Sequence, residues 1–254
     1  PTNVAMALSF FTLSSTSFSI TPFSGIVIGF FKSTCAKFPL HADIENTTKN
    51  VNNININESN TMQSNGIGAV IGYSEMSEVI NCYSIGNINT DVKNVGGIIG
   101  NLTGSSSMLN YSYSLVNIEA NNDNIGGIVG YDGNSDLDTN ISYNLALGNI
   151  YNSKDTDNSN RCVGNAPKER FNYSYANQLI DGKKSEELLG AEKLLTYKEL
   201  ADTNTYYNVL LFGNSYSYSN LEKGILPKLY NTNQEGLLIN QPDIEIPSDN
   251  DLTI

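Results

Sequence analysis

One stretch of the chain carries the residue types of a calcium site. Carboxylate and amide oxygens at alternate positions are the ligands that Ca²⁺ takes from a binding loop. The pattern departs from a calcium loop at two places, because Leu137 stands where the loop needs glycine and Tyr143 where it needs a bidentate acid. These mismatches favour an acidic, solvent-exposed loop over a metal site. The candidate ligands are Asp132, Asn134, Asp136 and Asp138.

Histidine and nucleophile chemistry has little to draw on here. The chain has one histidine, His41, and the next residues are Ala42 and Asp43. A His-Glu-x-x-His zinc motif is therefore missing, and a Ser-His-Asp or Cys-His arrangement would depend on that single imidazole. The glycine-rich stretches lack the lysine and helix start of a phosphate-binding loop. We predict no catalytic residue, no confident metal site and no cofactor in this segment.

The three cysteines are far apart in the chain. Cys35, Cys82 and Cys162 form no Cys-x-x-Cys pair, so neither a zinc knuckle nor a redox motif is present. Cys82 and Cys162 lie within apolar repeat segments and are interpreted as small buried hydrophobic residues. The low cysteine content is typical of a protein that does not depend on disulfides.

The charge balance argues against nucleic acid as a partner. The 254 residues carry a formal net charge of -12, whereas a phosphate backbone must be met by many Lys and Arg side chains. Arg161 and Arg170 are the only arginines. The longest apolar run, residues 25–31, is much shorter than the roughly 20 residues of a membrane-spanning helix. Because the chain begins with Pro1, we interpret it as a piece of a longer protein.

Two short patterns repeat together and indicate the elements that would position any site. Residues 67–72, 95–100 and 125–130 share a glycine-rich, β-branched pattern, and each is followed by a second pattern that begins with Tyr or Asn-Tyr and ends in Asn-Ile. A fixed period of this length indicates one structural unit stacked on copies of itself. Glycine, lacking a Cβ, lets neighbouring backbones approach closely. The predicted stacking glycines are Gly68, Gly72, Gly96, Gly97, Gly100, Gly126, Gly127 and Gly130.

A tyrosine recurs at nearly the same period. We predict that these rings stack in a structural ladder, with an exposed binding face as the alternative. The ladder residues are Tyr83, Tyr113, Tyr143 and Tyr175.

The repeats predict an all-β fold, a right-handed parallel β-helix (β-solenoid) of about 28–30-residue repeats with a small mixed α/β C-terminal cap. The solenoid would cover residues 1–177, with 1–23 an uncertain lead-in. Residues 178–236 would cap its final turn, starting with a helix capped by Ser185. Residues 237–254, rich in proline and acids, would be a linker or tail.

The order of several motifs resembles a known protein family. The repeats resemble the GLUG repeat of bacterial surface proteins. Residues 160–164 (NRCVG), 172–176 (NYSYA), 221–229 (LEKGILPKL) and 237–244 (LLINQPDI) follow an order similar to that upstream of the catalytic part of the immunoglobulin A-specific zinc metalloendopeptidases of Gram-positive cell surfaces. The resemblance covers about residues 24–247.

This resemblance implies a non-catalytic N-terminal solenoid that binds, presents or spaces the substrate, with the zinc and the peptidase domain located after residue 254. It further implies a secreted or cell-wall location and immunoglobulin A or another host surface protein as partner. Two alternatives stay open at this point. One is a bacterial adhesin with GLUG repeats and no protease, and the other is a polysaccharide-active β-helix enzyme. The latter is disfavoured because the repeat strands carry almost no charge.

Overall fold

The architecture is a stack of short parallel strands with a smaller C-terminal unit on its side. The computed structural model describes residues 66–75, 77–104, 107–133, 141–154, 159–165, 171–181, 190–229 and 244–248 in full, and the backbone alone for 32–37, 54–56 and 183–184. The call on residues 1–23 falls outside the described residues, as does His41.

The strands follow the repeat pattern of the sequence. Two strands precede the repeats: β1 (Lys32–Lys37) and β2 (Ile54–Ile56). The first repeat forms β3 (Ile67–Gly68), β4 (Ile71–Glu75) and β5 (Glu78–Thr90). The second forms β6 (Val95–Gly96), β7 (Ile99–Thr103), β8 (Met108–Asn110) and β9 (Tyr113–Ala120). The third forms β10 (Ile125–Gly126), β11 (Val129–Asp132), β12 (Ile141–Ser142), β13 (Leu145–Ala146) and β14 (Ile150–Asn152).

The decayed repeat and the C-terminal segment contribute the remaining elements. The decayed repeat forms β15 (Ser159–Asn160), β16 (Tyr173–Tyr175), β17 (Leu179–Ile180) and β18 (Lys183–Lys184). The C-terminal segment forms β19 (Lys193–Leu195), α1 (Tyr197–Leu200), α2 (Thr203–Asn208), a 3₁₀ turn (Gly213–Ser215), β20 (Tyr216–Ser217), a second 3₁₀ turn (Leu221–Lys223) and β21 (Lys228–Leu229).

Corresponding strands of successive repeats pair in parallel and form three walls. Wall 1 contains β3, β6, β10 and β15, and wall 2 contains β4, β7 and β11. Wall 3 is the large sheet, in which β5 pairs with β9, and β9 pairs with β13 and β14. The prediction of a parallel β-solenoid with a period of about 30 residues is confirmed.

Apolar side chains fill the interior between the walls. One cluster joins walls 2 and 3 through residues such as Ile99, Val129 and Leu109. A second joins walls 1 and 3 through residues such as Val95 and Ile118. Because β-branched residues sit on every turn, like packs on like along the stack, and removal of this apolar surface from water is the main stabilising force.

The solenoid extends beyond its predicted boundary at residue 177. β17 pairs with β14, and β19 pairs in parallel with β16. The helix expected from Ser185 through Ala201 is therefore wrong over Lys193–Leu195, which form a strand. The sheet edge offered by β16 satisfies the backbone of this segment and overrides its helical pattern. The first helix begins after Thr196, whose side chain accepts from the Glu199 backbone N–H in a capping box.

The C-terminal unit comprises residues 196–229 and 244–248, and it includes part of the predicted tail. Ile244 and Ile246 are buried. The Leu226 N–H donates to the Ile244 carbonyl at 2.7 Å, and the Ile246 N–H donates to the Gly224 carbonyl at 2.6 Å. The assignment of these residues to a linker is therefore wrong, because two isoleucines in a proline- and acid-rich segment suffice to dock it. Neither helix of the described residues is long and apolar enough to cross a membrane.

Candidate functional site

The predicted glycines form closely packed columns. Gly68, Gly96 and Gly126 are in register in wall 1. A Cβ on Gly97 would lie 2.1 Å from the Gly127 carbonyl oxygen and 2.2 Å from Ser114 Oγ. A side chain at this position is excluded by the next turn of backbone, so the predicted stacking of these glycines is confirmed. They serve the fold, since their whole surface is in contact with neighbouring turns.

The closing glycines form a second column of the same kind. A Cβ on Gly100 would lie 2.6 Å from the Gly72 carbonyl oxygen, and one on Gly130 would lie 2.6 Å from the Gly100 carbonyl oxygen. Gly164 continues this column in the decayed repeat, at 2.4 Å from the Gly130 oxygen.

The tyrosine ladder is correct for its first two members only. Tyr83 and Tyr113 are in register, with ring centroids 5.2 Å apart and planes 8° from parallel. The next residues in this column are Leu145 and then Tyr173, so the predicted places of Tyr143 and Tyr175 are wrong. The register step is 30 residues from 83 to 113 but 32 from 113 to 145. Two extra residues in the third repeat shift the tyrosine out of the column.

Tyr143 belongs to a second aromatic ladder at a corner of the solenoid. Its ring stacks on Tyr111 at 5.8 Å and on Phe171 at 5.9 Å. All three residues have left-handed backbone, with φ of 55°, 58° and 44° for Tyr111, Tyr143 and Phe171. The rings cover one another's faces, so most of their aromatic surface is used within the stack.

The C-terminal unit covers the Tyr83–Tyr113 column. Phe212 stacks on Tyr113 at 6.4 Å. The Tyr113 hydroxyl donates to the Pro227 carbonyl at 2.7 Å, and the Tyr216 hydroxyl donates to the carbonyls of Cys82 (3.1 Å) and Tyr111 (2.9 Å). The unit thus docks on the flank of wall 3, across the first two repeats, and the prediction that it caps the final turn is incomplete. The column is a buried structural ladder, so the alternative of an exposed binding face is wrong for it.

Burial controls the protonation of these tyrosines. Loss of hydration raises the pKa of Tyr113, Tyr206 and Tyr216 well above the ordinary value, and neighbouring tyrosines add to the shift. Neutral hydroxyls remain hydrogen-bond donors, which the carbonyls of Pro227 and Cys82 require. The docking of the C-terminal unit therefore depends on protonated tyrosine.

The outward side of wall 3 beyond this ladder is polar and exposed. The Asn117 Nδ2 donates to Asn87 Oδ1 at 3.0 Å, and Asn117 Oδ1 accepts from the Asn149 N–H at 3.0 Å. In the next outward column, Asn89, Glu119 and Tyr151 are in register. Tyr151 has 40% of its surface exposed. We define these outward residues as the asparagine face: Asn87, Asn89, Asn117, Glu119 and Tyr151.

A buried arginine lies inside the decayed repeat and was missed by the sequence analysis. Because Asn160 is in register with Gly126, Arg161 occupies the column of Gly127 and Gly97. It is fully buried, and its guanidinium donates to Ser174 Oγ at 3.2 Å and to Gln178 Oε1 at 3.3 Å. Burial lowers its pKa, an effect that Cys162 partly opposes. The signal was available, since alignment of residues 160–164 with the earlier repeats sets Arg161 at a glycine position.

The calcium-loop candidates are placed only in part. Asp132 is buried at the end of β11, where its N–H receives Asn165 Oδ1 and its carbonyl receives Asn165 Nδ2, both at 2.8 Å. Asn134, Asp136 and Asp138 lie outside the described residues. Among the residues that the structure describes, no group of three or more His, Cys, Asp or Glu side chains could hold a metal ion. The zinc that the resemblance implies therefore finds no ligand set in this part of the chain.

Comparisons with known proteins leave the family assignment to the resemblance described above. No family model, no curated protein and no solved structure matches the chain.

Proposed function

We propose that this chain is a non-catalytic solenoid module of a surface-attached zinc endopeptidase, in which it binds and presents the immunoglobulin A substrate. The observation that carries the proposal is the docking of the Leu-Pro-Lys-Leu segment on the repeats. The resemblance takes these two motifs from distant places in the sequence, yet Pro227 accepts the Tyr113 hydroxyl at 2.7 Å. Motif order and folded unit therefore support the same family.

The asparagine face is the surface best suited to presentation. The glycine columns and the first tyrosine column are used within the fold, whereas Asn89, Asn117, Glu119 and Tyr151 are exposed on a flat sheet. Strands about 4.8 Å apart give this face a rigid spacing. A rigid array of amides with one aromatic ring supplies hydrogen bonds and apolar contact at low entropic cost.

A secreted location fits the cysteine chemistry. Cys82 is disulfide-bonded, and stable disulfides form mainly in oxidising compartments. This state also supports the cell-surface setting that the resemblance implies.

Binding of the purified chain to immobilised immunoglobulin A tests presentation, with immunoglobulin G as the comparison ligand. We expect selective binding, weakened about tenfold or more by Tyr151→Ala or Glu119→Lys, because both change the exposed face. Phe171→Ala is the matched control, since Phe171 is also an exposed aromatic residue, with 50% of its surface accessible, but lies on the corner ladder. Equal binding to both immunoglobulins, or equal losses in the three variants, would contradict the proposal.

The coding sequence beyond Ile254 tests the link to a peptidase. We expect a His-Glu-x-x-His motif on a helix. Further repeats followed by a wall-sorting segment, without that motif, would instead favour the adhesin.

A further inference from the structure

The first strand of the chain pairs with the repeats in the opposite direction to the repeat strands. β1 is antiparallel to β5, whereas β5 and β9 are parallel. An antiparallel strand breaks the stacking rule of the solenoid, because the turn that would precede it cannot repeat the geometry of the turns that follow. β1 therefore covers the edge of β5 as a terminal strand, and such edges otherwise offer unpaired backbone groups to other chains.

The cysteine states add a second, independent observation at the same place. Cys82 in β5 is disulfide-bonded and fully buried, whereas Cys162 is a free, buried thiol. The backbone register sets Cys35 of β1 directly opposite Cys82. Directly opposed residues of an antiparallel pair have Cα atoms about 4.5–5.5 Å apart, which is within the range of roughly 4.4–6.8 Å that a disulfide spans.

We propose that a disulfide between Cys35 and Cys82 fastens β1 over the edge of β5 and makes this N-terminal cap dependent on an oxidising environment. In its formation the two thiols lose two protons and two electrons, and a disulfide of the thiol–disulfide oxidoreductase class is reduced to two thiols in exchange. In a reducing compartment the cap is held by strand pairing alone. The edge of β5 then opens more often, and export completes the fold.

Peptide mapping of the non-reduced chain tests the connectivity. We expect one linked pair that contains Cys35 and Cys82, with Cys162 alkylated only after denaturation. Free thiols at Cys35 and Cys82 after oxidative refolding, or a link from Cys82 to Cys162, would overturn the proposal.

Hydrogen exchange of the folded chain tests the cap. We expect a reductant to speed exchange of amides in residues 80–85 by about tenfold or more, while amides of residues 125–130, in the third repeat, change little. Cys35→Ser should reproduce this change without reductant, and the reductant should then have no further effect on the variant. Unchanged exchange at residues 80–85 in both the reduced wild type and the variant would overturn the role of the disulfide, even if the linkage itself is found.

Discussion

The hydroxyl of Tyr113 donates a hydrogen bond of 2.7 Å to the carbonyl of Pro227, which lies 114 residues later in the chain. Both groups are buried, and the ring of Tyr113 lies between Tyr83 of the solenoid and Phe212 of the C-terminal unit. One residue therefore belongs to the repeat ladder and to the docking contact at once. The contact explains why repeats and ending behave as a single folded unit.

Tyr113→Phe is expected to lower the free energy of unfolding by about 1–3 kcal/mol, because it keeps the stacked ring but leaves the Pro227 carbonyl buried without its donor. Urea unfolding followed by circular dichroism measures the change. The control is Tyr207→Phe, which removes an exposed hydrogen bond to Asn214 and should cost less than about 0.5 kcal/mol. Equal losses in the two variants would show that the Tyr113–Pro227 bond does not secure the docked unit.

Gly97→Val is expected to lower the free energy of unfolding by about 3 kcal/mol or more, because its Cβ would overlap the Gly127 carbonyl and Ser114 Oγ. Gly213→Ala is the matched control. Gly213 has a φ of +57° but no atom within 4 Å of its Cβ position, so the substitution adds only backbone strain of about 1–2 kcal/mol. Equal unfolding midpoints of the two variants would count against close stacking of the turns.

The glycine columns could be predicted from the sequence because their cause is local and repeated. Each turn meets the same steric exclusion, so the pattern returns at nearly constant spacing. The fourth ladder position could not be read in the same way, because the two extra residues between Tyr113 and Leu145 reside in a turn whose length does not affect the interior. Counting by a fixed period then selects Tyr143 in place of Leu145.

The docking of the C-terminal unit has no comparable sequence signal. Tyr83 and Tyr113 alternate outward from their strands, and an outward tyrosine has the same pattern whether solvent or another unit covers it. Likewise, Lys193–Leu195 have the composition of a helix, and only the free edge of β16 makes them a strand. Tertiary contacts decide both cases, and they are not encoded within the segments themselves.

Stability is expected to fall steeply in alkaline solution. The folded-state pKa values of Tyr113, Tyr206 and Tyr216 are raised above the unfolded value of about 10. The stability that these groups contribute is thus fully present below about pH 10 and is lost as the pH rises toward their folded values, by up to about 1.4 kcal/mol per pH unit for each tyrosine.

Urea titrations at successive pH values, with tyrosinate absorbance recorded in parallel, measure this dependence. Tyr216→Phe should reduce the slope by the share of one tyrosine. Ionisation of all tyrosines while the protein remains folded would contradict the assignment of these three as buried donors.

Cys162 is expected to resist alkylation in the folded protein. Burial raises its pKa to about 12, with Arg161 opposing the shift, and the thiol also donates to the Tyr173 carbonyl at 3.4 Å. At about pH 8 only roughly one part in ten thousand would be thiolate, compared with about a quarter for an ordinary cysteine of pKa about 8.5. Iodoacetamide labelling followed by mass spectrometry should show modification of Cys162 only after urea unfolding. Labelling in the native state at the rate found in urea would place this thiol at the surface and would contradict its position inside the decayed repeat.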